Sequence, residues 1–267
     1  MTITVCVLVQ AGIVLGADSR QVTKSPLGQL RVGSDNADKV FQLSSHLAVS
    51  VYGQGFFYPS GDESPRNIAT IVHSVAKHLP ENCTVAEAAA IVHQKVTEDV
   101  ERHCNVTGVE QPSVAFHVAG YDPNSDIGRL YRCEVPGEVA LERQTSDAGM
   151  VWSGQRQIID RLILGYDPRL LELLTISEDQ TVPEDALRQK LRRLQLHLSF
   201  QTMPLQDAVD LVVFLLHATI EFQRLSDGLV GDPGQFPTCG GAIDVAVLTL
   251  ADGFQWLQHK RLGVRPG

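Results

Sequence analysis

Residues 2–20 read TITVCVLVQAGIVLGADSR, and the fold turns on this stretch. Thr2 to Val9 is rich in β-branched residues, Gln10-Ala11-Gly12 is a turn signal, and Ile13 to Ala17 is apolar again, so the segment predicts a β-hairpin. A turn centred near Ala11 fixes the register, because a one-residue slip would reverse every side chain. That register sets the chain start opposite Ser19 or Arg20 and beside Asp18. A polar loop with Pro26, Gly28 and Gly33 follows. A second hairpin is then predicted from Lys39 to Leu43, a turn at Ser44-Ser45-His46, and Leu47 to Tyr52, bringing Lys39 close to Tyr52 and Gly53.

Two helices come next, one over about 65–78 and one starting at Thr84, where Thr84-Val85-Ala86-Glu87 forms a capping box before an alanine-rich run. Strands are predicted at Ser113 to Gly120, Leu130 to Val135, Val139 to Arg143 and Met150 to Ser153, then a helix from about Gln155 to Leu164. Tyr166 to Met203 reads as largely helical and amphipathic, with Leu187, Leu191, Leu194 and Leu198 at helical spacing. A helix over about 204–224 carries Ala208, Leu211, Val212, Leu215 and Phe222 on one face, and strands at Ile243 to Leu250 and Phe254 to Lys260 close the chain. The order fits one α+β domain over 1–267, with two sheets between helical layers and an insertion at about 166–203.

The formal charge of −9 argues against the broad basic surface a nucleic-acid partner needs. The apolar run from Leu211 to Leu216 is far shorter than the roughly 20 residues of a membrane span. Met1 to Val9 has neither a basic leader nor a cleavage-site pattern, so no signal peptide and a cytoplasmic location are expected. Five scattered cysteines without a CxxC pair suggest neither a disulfide framework nor a zinc site, and nine histidines without ligand spacing suggest no metal and no cofactor.

Taken singly, Thr2 is a residue after an initiator methionine, Asp18 a turn residue and Lys39 an edge-strand charge. Their combined spacing resembles the proteasome β-subunit family among the N-terminal-nucleophile hydrolases. Thr2, Asp18 in Gly16-Ala17-Asp18-Ser19-Arg20, Lys39 in Asp38-Lys39-Val40 and Gly53 in Val51-Tyr52-Gly53 match that family's nucleophile, aspartate, lysine and oxyanion glycine. Ser153-Gly154 and Gly240-Gly241-Ala242-Ile243-Asp244 match as well. The length and the insertion resemble the bacterial ancestral-β-subunit (Anbu) group. The resemblance implies a four-layer αββα sandwich and a self-assembling threonine peptidase, as a ring or an open helical array, acting on peptide or protein. An ATP-driven unfoldase is a partner it leaves open; a nucleic acid or membrane partner is not implied.

The chemistry implied is consistent with ordinary acid–base principles. A threonine hydroxyl needs a base, and an N-terminal threonine carries one in its α-amine, with an unperturbed pKa of about 7.7 to 8.0. Lys39 beside it would lower the hydroxyl and amine pKa values, Asp18 would orient Lys39, and the Gly53 N–H would stabilise an oxyanion. Substrate would add as a strand beside Thr23 and Val51, with Ala37, Val51 and Gly55 bordering a small apolar pocket. Ser153 reads equally as a helix cap or as a catalytic support. The scheme needs Met1 removed, which the small residue at position 2 favours.

The sequence departs from the family where an aspartate and, three residues on, a serine support the threonine amine: Phe236 and Cys239 stand there, with Asp227 and Asp232 in the same loop. Two rival readings follow, a catalytically silent subunit of the same fold and a small-molecule acylase.

Overall fold

The computed structural model describes residues 2–24, 28–58, 65–175, 183–230, 232–234 and 236–260. The chain opens with β1 (Ile3–Val9) and β2 (Gly12–Ala17), then a small hairpin of β3 (Gln21–Lys24) and β4 (Leu30–Ser34). Next come β5 (Val40–Gln42), β6 (Leu47–Gly53) and a short pair, β7 (Phe56–Phe57) and β8 (Arg66–Asn67). Helices α1 (Ile68–Ala76) and α2 (Val85–Thr107) lead into β9 (Val114–Tyr121), β10 (Gly128–Val135), β11 (Val139–Gln144) and β12 (Gly149–Gly154). Helices α3 (Gln157–Leu164), α4 (Arg169–Thr175), α5 (Glu184–Leu191) and α6 (Leu205–Leu225) follow. The short pair β13 (Gly228–Leu229) and β14 (Asp232–Pro233) precedes β15 (Asp244–Thr249) and β16 (Gly253–Gln258).

The architecture is mixed α+β on antiparallel sheets, with no closed barrel among the described residues. One five-stranded sheet runs β12-β1-β2-β15-β16 and the other β11-β10-β9-β6-β5. Side-chain alternation explains how both are buried on two faces. In β1, Ile3, Val5, Val7 and Val9 pack with α3 and α6, whereas Cys6 and Leu8 meet residues of the second sheet. In β9, Val114, Phe116 and Val118 pack with α1 and α2, whereas Ala119 and Tyr121 turn to the first sheet. The continuous apolar run of β1 therefore serves two cores at once. No described helix is long and apolar enough to cross a membrane.

The first hairpin has the register expected from its turn: Thr4 pairs with Ala17, which sets Ile3 against Asp18. In the second, Leu43 and Ser44 both donate to the Leu47 carbonyl, closing the turn so that Lys39 pairs with Val51, beside Tyr52. Helix α2 starts as its capping box requires, with the Thr84 and Glu87 side chains each accepting the other's backbone N–H. Helix α1 starts three residues later than expected, because Asn67 caps it and Arg66-Asn67 pairs with β7.

The insertion departs most from its reading. Helix α5 buries no residue, Leu194 and Leu196 are exposed, and residues 195–199 are not helical; residues 176–182 lie outside the described part. Leu187 and Leu191 of α5 are only half-buried, and the helix carries its own Glu184–Arg188 pair on an exposed face. In α6, Ala208, Val212 and Leu215 are buried as expected, but Phe222 is 55% exposed, on the wall of a cavity. The loop read after Asp18 is partly a hairpin, β3–β4, although Pro26 lies outside the described residues.

Candidate active site

The hairpin register delivers Asp18 to the chain start. Its carboxylate is completely buried, and Oδ1 accepts the Ile3 N–H (3.1 Å) and the Lys39 ammonium (2.6 Å). Oδ2 accepts the N–H groups of Arg20 (3.1 Å) and Gly240 (3.0 Å). Four donors from four segments thus satisfy one carboxylate. Lys39 donates a second bond to the Arg20 carbonyl at 2.7 Å. An ammonium carries three donors, so one N–H has no partner among the described residues.

Thr2 is held from the other side. The Gln155 N–H donates to its carbonyl at 2.8 Å, and Gly154, at φ +92°, passes so close that an added Cβ would lie 1.8 Å from that oxygen. Only glycine can occupy this place. Gly53 ends β6 at φ +99°, where a Cβ would meet the Ser113 carbonyl at 2.5 Å.

A cavity of about 420 Å³ gathers Thr2, Lys39 and Gly53 with Thr23, Ala37, Val51 and Gly55. Tyr52, Phe56, Tyr58 and Ile68 widen its apolar wall, and Arg20 reaches its edge. Asp18 lies beneath Lys39. Ser153 is not on the wall: its hydroxyl is 3.3 Å from His117 Nε2 and faces the Tyr52 hydroxyl. The structure therefore brings seven of the predicted site residues into one cavity, places Asp18 under it, and turns Ser153 toward the space between the sheets.

Several groups escaped the sequence reading. Arg20 forms a two-pronged ion pair with Asp35 at 2.7 and 3.1 Å and donates to the Pro237 carbonyl; the carboxylate holds its guanidinium above the usual range. Gln223, on α6, accepts the N–H groups of Thr238 and Cys239 and so fixes the loop that presents Gly240 to Asp18. His117 is wholly buried, which pushes its imidazole down to about 3 and keeps it neutral. Period-two alternation along β9 points His117 inward, but nothing in the sequence pairs it with a serine on another sheet.

Cys239 is buried; desolvation first, then the nearby Asp18 charge, pushes its thiol upward. Phe236 lines a different cavity of about 690 Å³, together with Ile158 and Phe222. Asp227 is exposed and makes no described contact with Thr2, Asp18 or Lys39, and the side chain of Asp232 falls outside the described part. Asp38, Asp244 and His259 converge as potential metal ligands, but the Lys260 ammonium already sits among them, 2.8 Å from Asp38 and bonded to Asp244. No protein-family model matches this chain, and no curated protein is significantly similar to it.

Proposed function

We propose that this protein is an N-terminal threonine amide hydrolase, a self-assembling peptidase built as a four-layer αββα sandwich. The observation that carries the reading is the meeting of Thr2, Lys39 and Gly53 in one cavity over the buried Asp18–Lys39 pair. The layer assignment rests on three apolar clusters: one between the sheets, and one between each sheet and its helices.

The chemistry starts once Met1 is removed. The Thr2 α-amine takes the hydroxyl proton as Thr2 Oγ attacks the substrate carbonyl, and the Gly53 N–H stabilises the oxyanion. One such donor is worth roughly 2.7–4 kcal/mol in comparable sites. Collapse expels the amine leaving group, which takes the proton from the Thr2 ammonium and leaves an ester on Thr2 Oγ. Water, deprotonated by the same amine, hydrolyses that ester. The spare Lys39 N–H lowers the cost of negative charge at Oγ. Substrate backbone lies beside Thr23 and Val51, with the residue before the scissile bond against Ala37, Val51 and Gly55.

The test is hydrolysis of a peptide amide carrying a fluorogenic leaving group. Thr2→Ala abolishes it while the assembly, measured by light scattering, stays intact; full turnover in that variant overturns the reading. A silent subunit of the same fold is favoured by one observation, the neutral Cys239 thiol where the family has a hydroxyl. Activity in the wild-type protein excludes that alternative.

A further inference from the structure

The candidate site is divided between the sheets. Thr2 and Asp18 stand at the adjoining ends of β1 and β2, whereas Lys39 immediately precedes β5 and Gly53 ends β6. The distance from the nucleophile to the oxyanion donor is therefore set by how the sheets are joined, and apolar contacts alone are non-directional.

Two polar crossings join them near Thr2. On the β2 side stands the Asp18–Lys39 pair at 2.6 Å. On the β12 side, Ser153 Oγ meets His117 Nε2 at 3.3 Å, and His117 Nδ1 lies 3.5 Å from Ser50 Oγ and 3.8 Å from Cys6 Sγ. The sheet orders explain the symmetry: β12, β1 and β2 are consecutive in one sheet, β9, β6 and β5 in the other. Thr2 and Gly53 lie on the middle pair, bracketed by a polar crossing on either side.

Ser153 couples this crossing to both reacting positions. Its neighbour Gly154 pairs with Ile3 and packs on the Thr2 carbonyl. Its hydroxyl faces that of Tyr52, the residue immediately before Gly53, and the Tyr52 ring lies 5.3 Å from the imidazole. Burying a histidine wholly between two sheets is costly unless its nitrogens are satisfied, and here two serines from opposite sheets satisfy them.

We infer that His117, with Ser153 and Tyr52, is a cross-sheet bolt that fixes the separation of Thr2 from Gly53, so that these three are positioning residues and not catalytic ones. The inference rests on Thr2 acting as the nucleophile. Burial keeps the imidazole neutral through the working pH range, as a fixed positioning group requires.

The experiment compares two reactions of Thr2 in the same protein. A peptide epoxyketone needs hydroxyl attack on its ketone with the oxyanion stabilised; acylation of the free α-amine by an activated ester does not. His117→Leu and Tyr52→Phe slow epoxyketone modification roughly 10- to 100-fold, the effect of an ångström-scale misplacement, while α-amine acylation stays at the wild-type rate. His117→Gln, whose amide reaches the Nε2 position, restores most of the epoxyketone rate. Tyr52→Phe removes one hydroxyl from a cavity wall and keeps the test valid if His117→Leu does not fold. Equal epoxyketone rates in a reactive wild type and in Tyr52→Phe overturn the bolt alone. An inert wild type overturns the nucleophile and the bolt together. Parallel loss of both reactions assigns these residues to general structure and overturns the bolt.

Discussion

Replacing Lys39 by methionine tests whether the buried ion pair is the structural centre of the site. The variant leaves the Asp18 carboxylate fully shielded from water with the N–H groups of Ile3, Arg20 and Gly240 as its remaining described donors and no ammonium bonded to it. Asp18 is 0% exposed and Lys39 only 5%, so solvent cannot screen the loss. Removing one member of such a pair costs about 3–5 kcal/mol, since the other charge stays buried. For a chain of this size, each kcal/mol moves the melting temperature by about 2–4 °C, giving a fall of roughly 6–20 °C. Lys190→Met, on the exposed face of α5, is the control and stays within about 0.5 kcal/mol of the wild type. The assay is paired thermal and urea unfolding of the three proteins. A wild-type midpoint in Lys39→Met would refute the reasoning, because it would mean that Asp18 does not depend on its 2.6 Å partner.

Further outcomes follow from the same geometry. Gly154→Ala places a Cβ against the Thr2 carbonyl at positive φ and lowers stability by at least about 2 kcal/mol in urea unfolding. Because the folded-state pKa of His117 lies near 3, below its unfolded value of about 6.5, the unfolded chain binds more protons between them. Its contribution to stability is thus complete above about pH 6.5 and is lost as pH falls towards 3, by up to about 1.4 kcal/mol per pH unit, and His117→Gln lacks this part of the pH slope. Brief alkylation of the native protein followed by peptide mass mapping finds Cys104 modified first, since Cys6, Cys83, Cys133 and Cys239 are buried. Thr84→Ala removes the capping box of α2 and costs about 1 kcal/mol in the same unfolding assay.

What the sequence made legible was local. The turn at Gln10-Ala11-Gly12 and the apolar runs beside it determine where Asp18 meets the chain start, and the observed pairing follows that register. The Thr84–Glu87 box marks the start of α2 because both halves of the signal lie within one turn. Non-local relations were not legible. Gln223 and Cys239 approach each other only because α6 lies over the first sheet, and His117 meets Ser153 only because the two sheets face each other. Helical spacing in the insertion and at Phe222 was real, but spacing records which residues share a face and not whether a partner surface covers it.

The central claim is that a free Thr2 is the nucleophile, and the intact mass of the purified protein before and after a peptide epoxyketone tests it most directly. The account predicts a starting mass short of one methionine and the gain of one reagent molecule, abolished in Thr2→Ala. A protein that retains Met1, or one with a clean Thr2 terminus that never takes up the reagent, would contradict it.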